Sequence, residues 1–196
     1  MGDKKIEDGS ASQKRKENTI KGLEVIKDQG TNLMSFVQSY RSFLNVPIPD
    51  KKIVMVQDLM EKVKFLVGQD MEFSNTTIEI RLQSQDQELF IDEKQITQVL
   101  VNLCKNALQS VSNQENSIIT LISGIKKDGQ KYIVVEDNGP GIPQELINEI
   151  FVPFFTTKNT GTGVGLSLSK QILRMHGGNL KVKSIPDIST SFTLLF

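Results

Sequence analysis

The periodicities of this 196-residue chain predict an α+β fold, a two-layer α/β sandwich with a long N-terminal helix. Three observations carry that reading. Apolar residues recur at helical spacing without a break from Ile20 to Leu44. Strand-like and helix-like segments then alternate to the C-terminus. Between the two regimes lies Val46-Pro-Ile-Pro49, where proline cannot continue a helix and disfavours it in the residue before.

Residues 1–16 are polar, charged and Gly/Ser-containing, and are expected to be a flexible tail. Residues 17–46 form the long helix, with Ile20, Leu23, Ile26, Gly30, Leu33, Val37, Tyr40 and Leu44 on one stripe. At roughly 28 residues it would span about 40 Å, long for a small domain, and its stripe calls for a second helix or a second subunit. Residues 50–196 make the second domain. Ile53–Val56 reads as a short strand, followed by a helix capped by Asp58 and running to Val67. Thr76–Leu82 alternates as a strand, with Glu88–Ile91 as its expected hairpin partner. Asp92 caps a helix over 93–111 whose inward stripe is Ile96, Val99, Leu100, Leu103, Cys104 and Ala107. Ile118–Ile125 and Lys131–Glu136 flank a Lys127-Asp128-Gly129 turn. Pro143 starts a short helix to Ile150. Gly165 opens a helix that ends at His176 with Gly177 as its stop, and 180–184 with 191–195 closes the chain as a hairpin.

Composition removes several function classes. Lys+Arg and Asp+Glu number 23 each, so no overall field favours nucleic acid or an anionic membrane. No apolar run reaches the length of a membrane span and no signal peptide is visible, which with the single cysteine, Cys104, fits a reducing, cytoplasmic setting. No Cys/His spacing suits a metal site.

Three segments carry chemistry. Asn102 and Asn106 lie one helical turn apart and project from one face. Paired carboxamides offer oxygens to a hard cation without adding negative charge beside a polyphosphate; surface asparagines would give the same pattern. In Ile133-Val-Val-Glu136-Asp137-Asn138-Gly139-Pro140-Gly141-Ile142 a hydrophobic strand delivers a carboxylate to the floor of a cleft, and two glycines admit close approach. A buried aspartate needs a donor, and the exocyclic amine of adenine is one, although an ordinary Asp-Asn-Gly turn also satisfies the sequence. In Asn159-Thr-Gly161-Thr162-Gly163-Val-Gly165-Leu166 a glycine loop opens a helix, where free amides and the helix dipole favour phosphate. It is neither a Walker loop nor a Rossmann turn. About 20 residues rich in Pro, Thr, Asn and Gly precede it, the usual make-up of a lid. Phe151, Phe154 and Phe155 are expected to pin that lid, and Lys158 either reaches phosphate or is a solvated surface lysine.

Taken in order, these segments resemble the ATP-binding domain of two-component sensor histidine kinases, within the superfamily of gyrase, the Hsp-type chaperones and the mismatch-repair ATPases. Asn102-Leu-Cys-Lys-Asn106-Ala resembles the N box, Asp137-Asn-Gly139-Pro-Gly141 the G1 box, Phe151–Phe155 the F box and Gly161–Leu166 the G2 box. Met175-His176-Gly177-Gly178 also matches the end of the helix after G2. The resemblance spans residues 51–196. It implies the Bergerat-type fold, ATP and Mg2+ as cofactors, and Asn106 as magnesium ligand with Asn102 beside it as the catalytic pair. It further implies Asp137 on the adenine amine, Gly139, Gly141 and Ile142 around the base, and Lys158, Gly161, Thr162, Gly163, Gly165 and Leu166 around the phosphates. Thr190 matches the adenine-side threonine, with Ser189 where a glycine is expected. The long helix resembles the second helix of the dimerisation and phosphoacceptor hairpin, which implies a homodimer, and the family implies a response regulator as partner.

In the hydrolysing cousins a glutamate stands where this chain has Asn102, which has no useful basicity, so the residues favour a phosphoryl donor over a hydrolase. His176 is the only histidine, sits at a helix end before two glycines and reads as structural. The acceptor histidine is then absent from this chain, and its helix becomes a partner. The alternatives are a degenerate nucleotide-binding module and an ATPase of the chaperone or gyrase type.

Overall fold

The computed structural model describes residues 4–69, 75–84, 87–112, 114–158 and 161–196, and the chain divides into two compact units, Met1–Leu44 and Asn45–Phe196. The first is a single helix, α1 (Lys4–Leu44). It stops before Val46-Pro47, as the prolines require, but it begins well before residue 17. The flexible tail expected over 1–16 is thus replaced by helix from Lys4; residues 1–3 lie outside the described part. Lys, Glu, Gln, Ala and Ser propagate a helix at little cost, and Gly9 alone, at about 1 kcal/mol, does not interrupt it.

The second unit holds β1 (Lys52–Met55), α2 (Val56–Gly68), β2 (Thr77–Leu82), β3 (Glu88–Ile91), α3 (Glu93–Val111), β4 (Ile118–Ile125), β5 (Lys131–Asp137), α4 (Gly165–Met175), β6 (Asn179–Ile185) and β7 (Ser189–Leu195). Five strands form one sheet in the order β2-β4-β5-β7-β6, antiparallel except for the parallel β2–β4 pair. α2, α3 and α4 pack side by side and against that sheet, giving the two layers expected. The core between them is apolar and dry. Val56, Leu59, Met60, Val63 and Val67 of α2 meet Ile96, Val99, Leu100, Leu103, Cys104 and Ala107 of α3 over Ile119, Leu121, Ile133, Val135 and Leu194.

The hairpin expected between Thr76–Leu82 and Glu88–Ile91 does not form. β3 pairs instead with β1, as Lys52↔Ile91 to Met55↔Glu88, and β2 lies parallel to β4 at the sheet edge. Both segments alternate well, so periodicity could not choose their partners. Asp58 is not the cap of α2; Met55 holds that position without a side-chain bond, and Asp58 sits in the first turn, where its charge suits the dipole. Pro143 opens only one 3-10 turn, Gln144–Leu146, followed by turns to Ile150 rather than a helix.

Two residues lock the helix layer. Asp92 caps α3, accepting from Gln95 N at 3.1 Å through Oδ1 and from Asp50 N at 3.0 Å through Oδ2. Burial works against its charge, but these N–H donors outweigh burial and hold the carboxyl below the usual range. Its own N–H donates to His176 Nε2 at 3.0 Å, while His176 Nδ1 lies 2.8 Å from the Ile172 carbonyl. Because Nε2 accepts, Nδ1 carries the proton, and the ring is the neutral tautomer that joins the end of α4 to the start of α3. Burial lowers its pKa. His176 is therefore structural, and Gly177 at φ 82° follows it as the helix stop.

His176→Ala is expected to cost about 1–3 kcal/mol of unfolding free energy, because the Asp92 N–H loses its acceptor. The contribution should be complete above about pH 6.5, the ordinary value for histidine, and fade as pH falls, since the unfolded chain takes up the proton first. Urea melts of both forms at pH 7.5 and 5.5 check this; an equal gap at both values would contradict it.

Candidate functional site

The site begins with the two-residue period of β5. Ile133, Val135 and Asp137 face the helices, so the strand's last core-side position is a carboxylate, 3% exposed. Register carries the column across the sheet. Asp137 lies opposite Thr190, Val135 opposite Phe192 and Ile133 opposite Leu194. Asp137 Oδ1 accepts from Gly139 N at 3.0 Å. Burial pushes its pKa up to about 6, against that N–H and the Lys158 charge, with Glu136 adding to the rise.

The glycines act differently from expectation. Their close approaches are to protein. A Cβ on Gly139 would stand 2.6 Å from Asp137 Oδ1. One on Gly141, at φ 73°, would stand 2.5 Å from the Ile185 carbonyl and 2.9 Å from Pro186 Cα, in the β6–β7 turn. That turn is also bonded to the segment directly, by Asp187 N to Pro140 O at 2.7 Å. Gly163, at φ 67°, lies against the Phe154 backbone, and Phe154 N donates to Gly163 O at 2.9 Å. The C-terminal end of the lid is thus fastened to the phenylalanine segment. Phe151 packs edge-on to Phe192 at 6.5 Å, under Lys170 Nζ at 4.5 Å from its ring centre. Phe151 and Phe155 join the core, whereas Phe154 is exposed.

Asn102 and Asn106 both line the cavity but do different work. Asn102 Nδ2 donates to Ser169 Oγ at 3.1 Å, Ser169 Oγ donates to Gly165 O at 2.8 Å, and a Cβ on Gly165 would stand 2.5 Å from Asn102 Oδ1. Asn102 therefore seats the first turn of α4 while lining the cavity. Asn106 Oδ1 accepts from Lys158 Nζ at 3.3 Å, and the same ammonium reaches Gln109 Oε1. That oxygen thus accepts from a cationic group at the cavity wall. Partial burial lowers the Lys158 pKa, and Asp137 opposes this.

These parts enclose a cavity of about 410 Å³. Of the residues singled out in the sequence, Asn102, Asn106, Asp137, Gly141, Ile142, Lys158, Gly161, Thr162, Gly163, Gly165, Leu166 and Thr190 line it, while Gly139 stands behind the Asp137 carboxylate. Asn159 and Thr160 lie outside the described residues. Phe155, named in the sequence as pinning the lid, lines the cavity too, whereas sequence reasoning missed Gln109, Ile150 and Phe192. Gln109 follows Asn106 by three residues, and helical spacing would have found it. Phe192 needed the register of β7. Cys104 points into the core, where burial pushes its thiol up to about 12 and leaves it unreactive.

A layer of helices on this sheet, with a buried carboxylate facing a carboxamide and a glycine loop across one cavity, defines an ATP-binding domain of the kind shared by kinases and ATPases. The chain belongs to the "Histidine kinase-, DNA gyrase B-, and HSP90-like ATPase" family, whose model matches residues 91–196. Within it the chain is a sensor histidine kinase catalytic domain. Signal transduction histidine-protein kinase AtoS of Escherichia coli (strain K12) is 42% identical over 104 residues, 53% of this chain and 17% of AtoS. The catalytic domain of histidine kinase ThkA, nucleotide-free, superposes with a TM-score of 0.67 at 29% identity, over 75% of this chain and 95% of that one. ThkA in complex with response regulator protein TrrA matches with a TM-score of 0.73 at 25% identity, over 88% and 49%. The chain spans less than half the length of the curated relatives it matches. Among the described residues no helix is long and apolar enough to cross a membrane.

Asp137→Asn should stabilise the ligand-free chain at pH 8 by roughly 1–3 kcal/mol. A carboxyl raised from 3.8 to about 6 costs nothing below the lower value and its full penalty above the upper one. Denaturant melts from pH 4 to 8 should show the gain appearing between those limits; a gain that did not grow with pH would refute the desolvation account.

Proposed function

We propose that this chain is the phosphoryl-donor part of a sensor histidine kinase, passing the γ-phosphate of ATP to a histidine that these 196 residues do not contain. The carrying observation is one cavity lined both by an under-solvated acceptor, Asp137, and by Asn106, Lys158 and the start of α4. Asp137 and Thr190 receive the adenine edge, beside the apolar surfaces of Ile142 and Phe192. Lys158, Gly161, Thr162, Gly163, Gly165 and Leu166 enclose the phosphates, with the N-terminal amides of α4 aimed at them. Magnesium held by Asn106 would neutralise phosphate charge. The protein's own share of catalysis is then positioning and exclusion of water. Asn102, occupied with Ser169 and lacking a basic atom, does not activate water, which supports donor chemistry over hydrolysis.

His176 spends both ring nitrogens on the fold and is not the acceptor. The acceptor belongs to a separate helix, and a response regulator is the next recipient, as the ThkA–TrrA complex suggests by kinship. Ile20, Leu23, Ile26, Leu33, Val37 and Leu44 of α1 are exposed, which supports a homodimer through that helix. The neutral charge balance gives no footing for nucleic acid.

Calorimetry is expected to show Mg-ATP binding that weakens about 10–100-fold in Asp137→Ala, the cost of a charge-assisted hydrogen bond. In Asn106→Ala, affinity with magnesium should fall to that measured in chelator. With labelled ATP the chain alone should acquire no acid-labile phosphate; self-labelling would overturn the donor-only reading. Steady-state hydrolysis surviving Asn102→Ala would favour the ATPase alternative, and absence of ATP binding the degenerate module.

A further inference from the structure

The Asp137–Thr190 pair continues onto β6. Register sets Ser184 beside Thr190, Val182 beside Phe192 and Leu180 beside Leu194. Three strands therefore present two apolar rows, Ile133–Leu194–Leu180 and Val135–Phe192–Val182, and then a polar row, Asp137–Thr190–Ser184. Asp137 and Thr190 line the cavity. Ser184, beside Thr190 on β6, is not among the residues that line the cavity, and the site described so far gives it no role.

Its hydroxyl makes three contacts. Ile142 N donates to Ser184 Oγ at 2.8 Å, Ser184 Oγ donates to the Ser189 carbonyl at 3.1 Å, and Ser184 Oγ lies 3.0 Å from Thr190 Oγ1. A hydroxyl has one proton and two lone pairs. The carbonyl only accepts, so the Ser184 proton goes to Ser189. One lone pair takes the Ile142 N–H, and the other is left for the Thr190 proton. Only this arrangement satisfies all three contacts at once. It consumes the Thr190 proton behind the site and turns the threonine's lone pairs toward the cavity. Thr190 is 4% exposed, so bulk water does little to reorient it.

We infer that Ser184 is a positioning residue for base selection. It fixes Thr190 as a hydrogen-bond acceptor beside the Asp137 carboxylate, and through Ile142 it fixes the distance between the acidic turn and the β6–β7 hairpin. The inference rests on the nucleotide reading above. Two neighbouring acceptors select a base edge rich in N–H, and the two-proton exocyclic amine of adenine is such an edge. Purine ribonucleoside triphosphate, which lacks the amine, offers neither acceptor a proton.

The test is calorimetry on the full chain with ATP, with purine ribonucleoside triphosphate and with inorganic tripolyphosphate. Ser184→Ala should weaken ATP about tenfold, leave tripolyphosphate unchanged and shrink the preference for ATP over the amine-free analogue. Ser184→Thr, which keeps the hydroxyl, should restore both. Thr190→Val should reproduce the loss, and the double variant Ser184→Ala/Thr190→Val should be no worse than Thr190→Val alone, because one residue acts through the other. An unchanged ATP preference in Ser184→Ala, additive losses in the double variant, or equal weakening of tripolyphosphate would each overturn the role assigned to Ser184. Wild-type chain that binds ATP and its amine-free analogue equally would overturn the adenine reading itself, and the inference with it.

Discussion

The structure turns on a carboxylate held on the dry side of a sheet. Asp137 ends a core-facing column of β5, and everything nearby either tolerates that charge or uses it. Gly139 supplies the N–H that makes the burial bearable and lacks the Cβ that would strike the acceptor oxygen. Gly141 lets the following turn press into the β6–β7 hairpin, which brings Thr190 and Ser184 alongside. Replacing the carboxylate with an apolar residue would relieve the fold and remove its reason for having a cleft. The site is thus paid for in stability, a common arrangement where binding supplies the missing partner.

The second constraint is the seating of α4. Its N-terminus is useful only if its amides face the cavity, and three contacts from separate parts of the chain ensure this. Asn102 and Ser169 anchor the first turns, Gly163 fastens the loop to Phe154, and His176 ties the far end to Asp92. Lys158 reaches from that loop to Asn106 of α3, which links the loop to the helix through one hydrogen bond. The sensor kinases that the chain resembles are longer than it is, and it spans 17% of AtoS.

Much of this was legible in the residues alone. The Asp137 period, the Asn102–Asn106 spacing, the Gly-rich loop opening a helix, and His176 before two glycines all follow from local geometry, and the helix layer and the last hairpin came out where the periodicity put them. Elsewhere local geometry was silent. β2 and β3 both alternate, and only the competition for a sheet edge gave β2 to β4 and β3 to β1. The segment 4–16 is polar enough to read as a tail, yet nothing in it breaks a helix already running. Glycines near a phosphate motif suggest room for ligand, whereas Gly141, Gly163 and Gly165 make room for Ile185, Phe154 and Asn102.

The sequence by itself determined which residue types the site holds: a carboxylate ending a core-facing strand column, two carboxamides one helical turn apart, a glycine loop opening a helix, and a single histidine. Those depend on residue type and on spacings of two to four, which helices and strands convert directly into shared faces. Only the tertiary structure decided how the groups are divided. It bonded Asn102 to Ser169 of α4 and Asn106 to Lys158 within one cavity, set Thr190 and Ser184 in one row with Asp137, and placed the Gly139 N–H on the carboxylate. The Asn102–Ser169 and Asp137–Thr190 contacts join residues tens of positions apart, and the register and close approach that create them exist only once the strands have paired and the helices have closed over them.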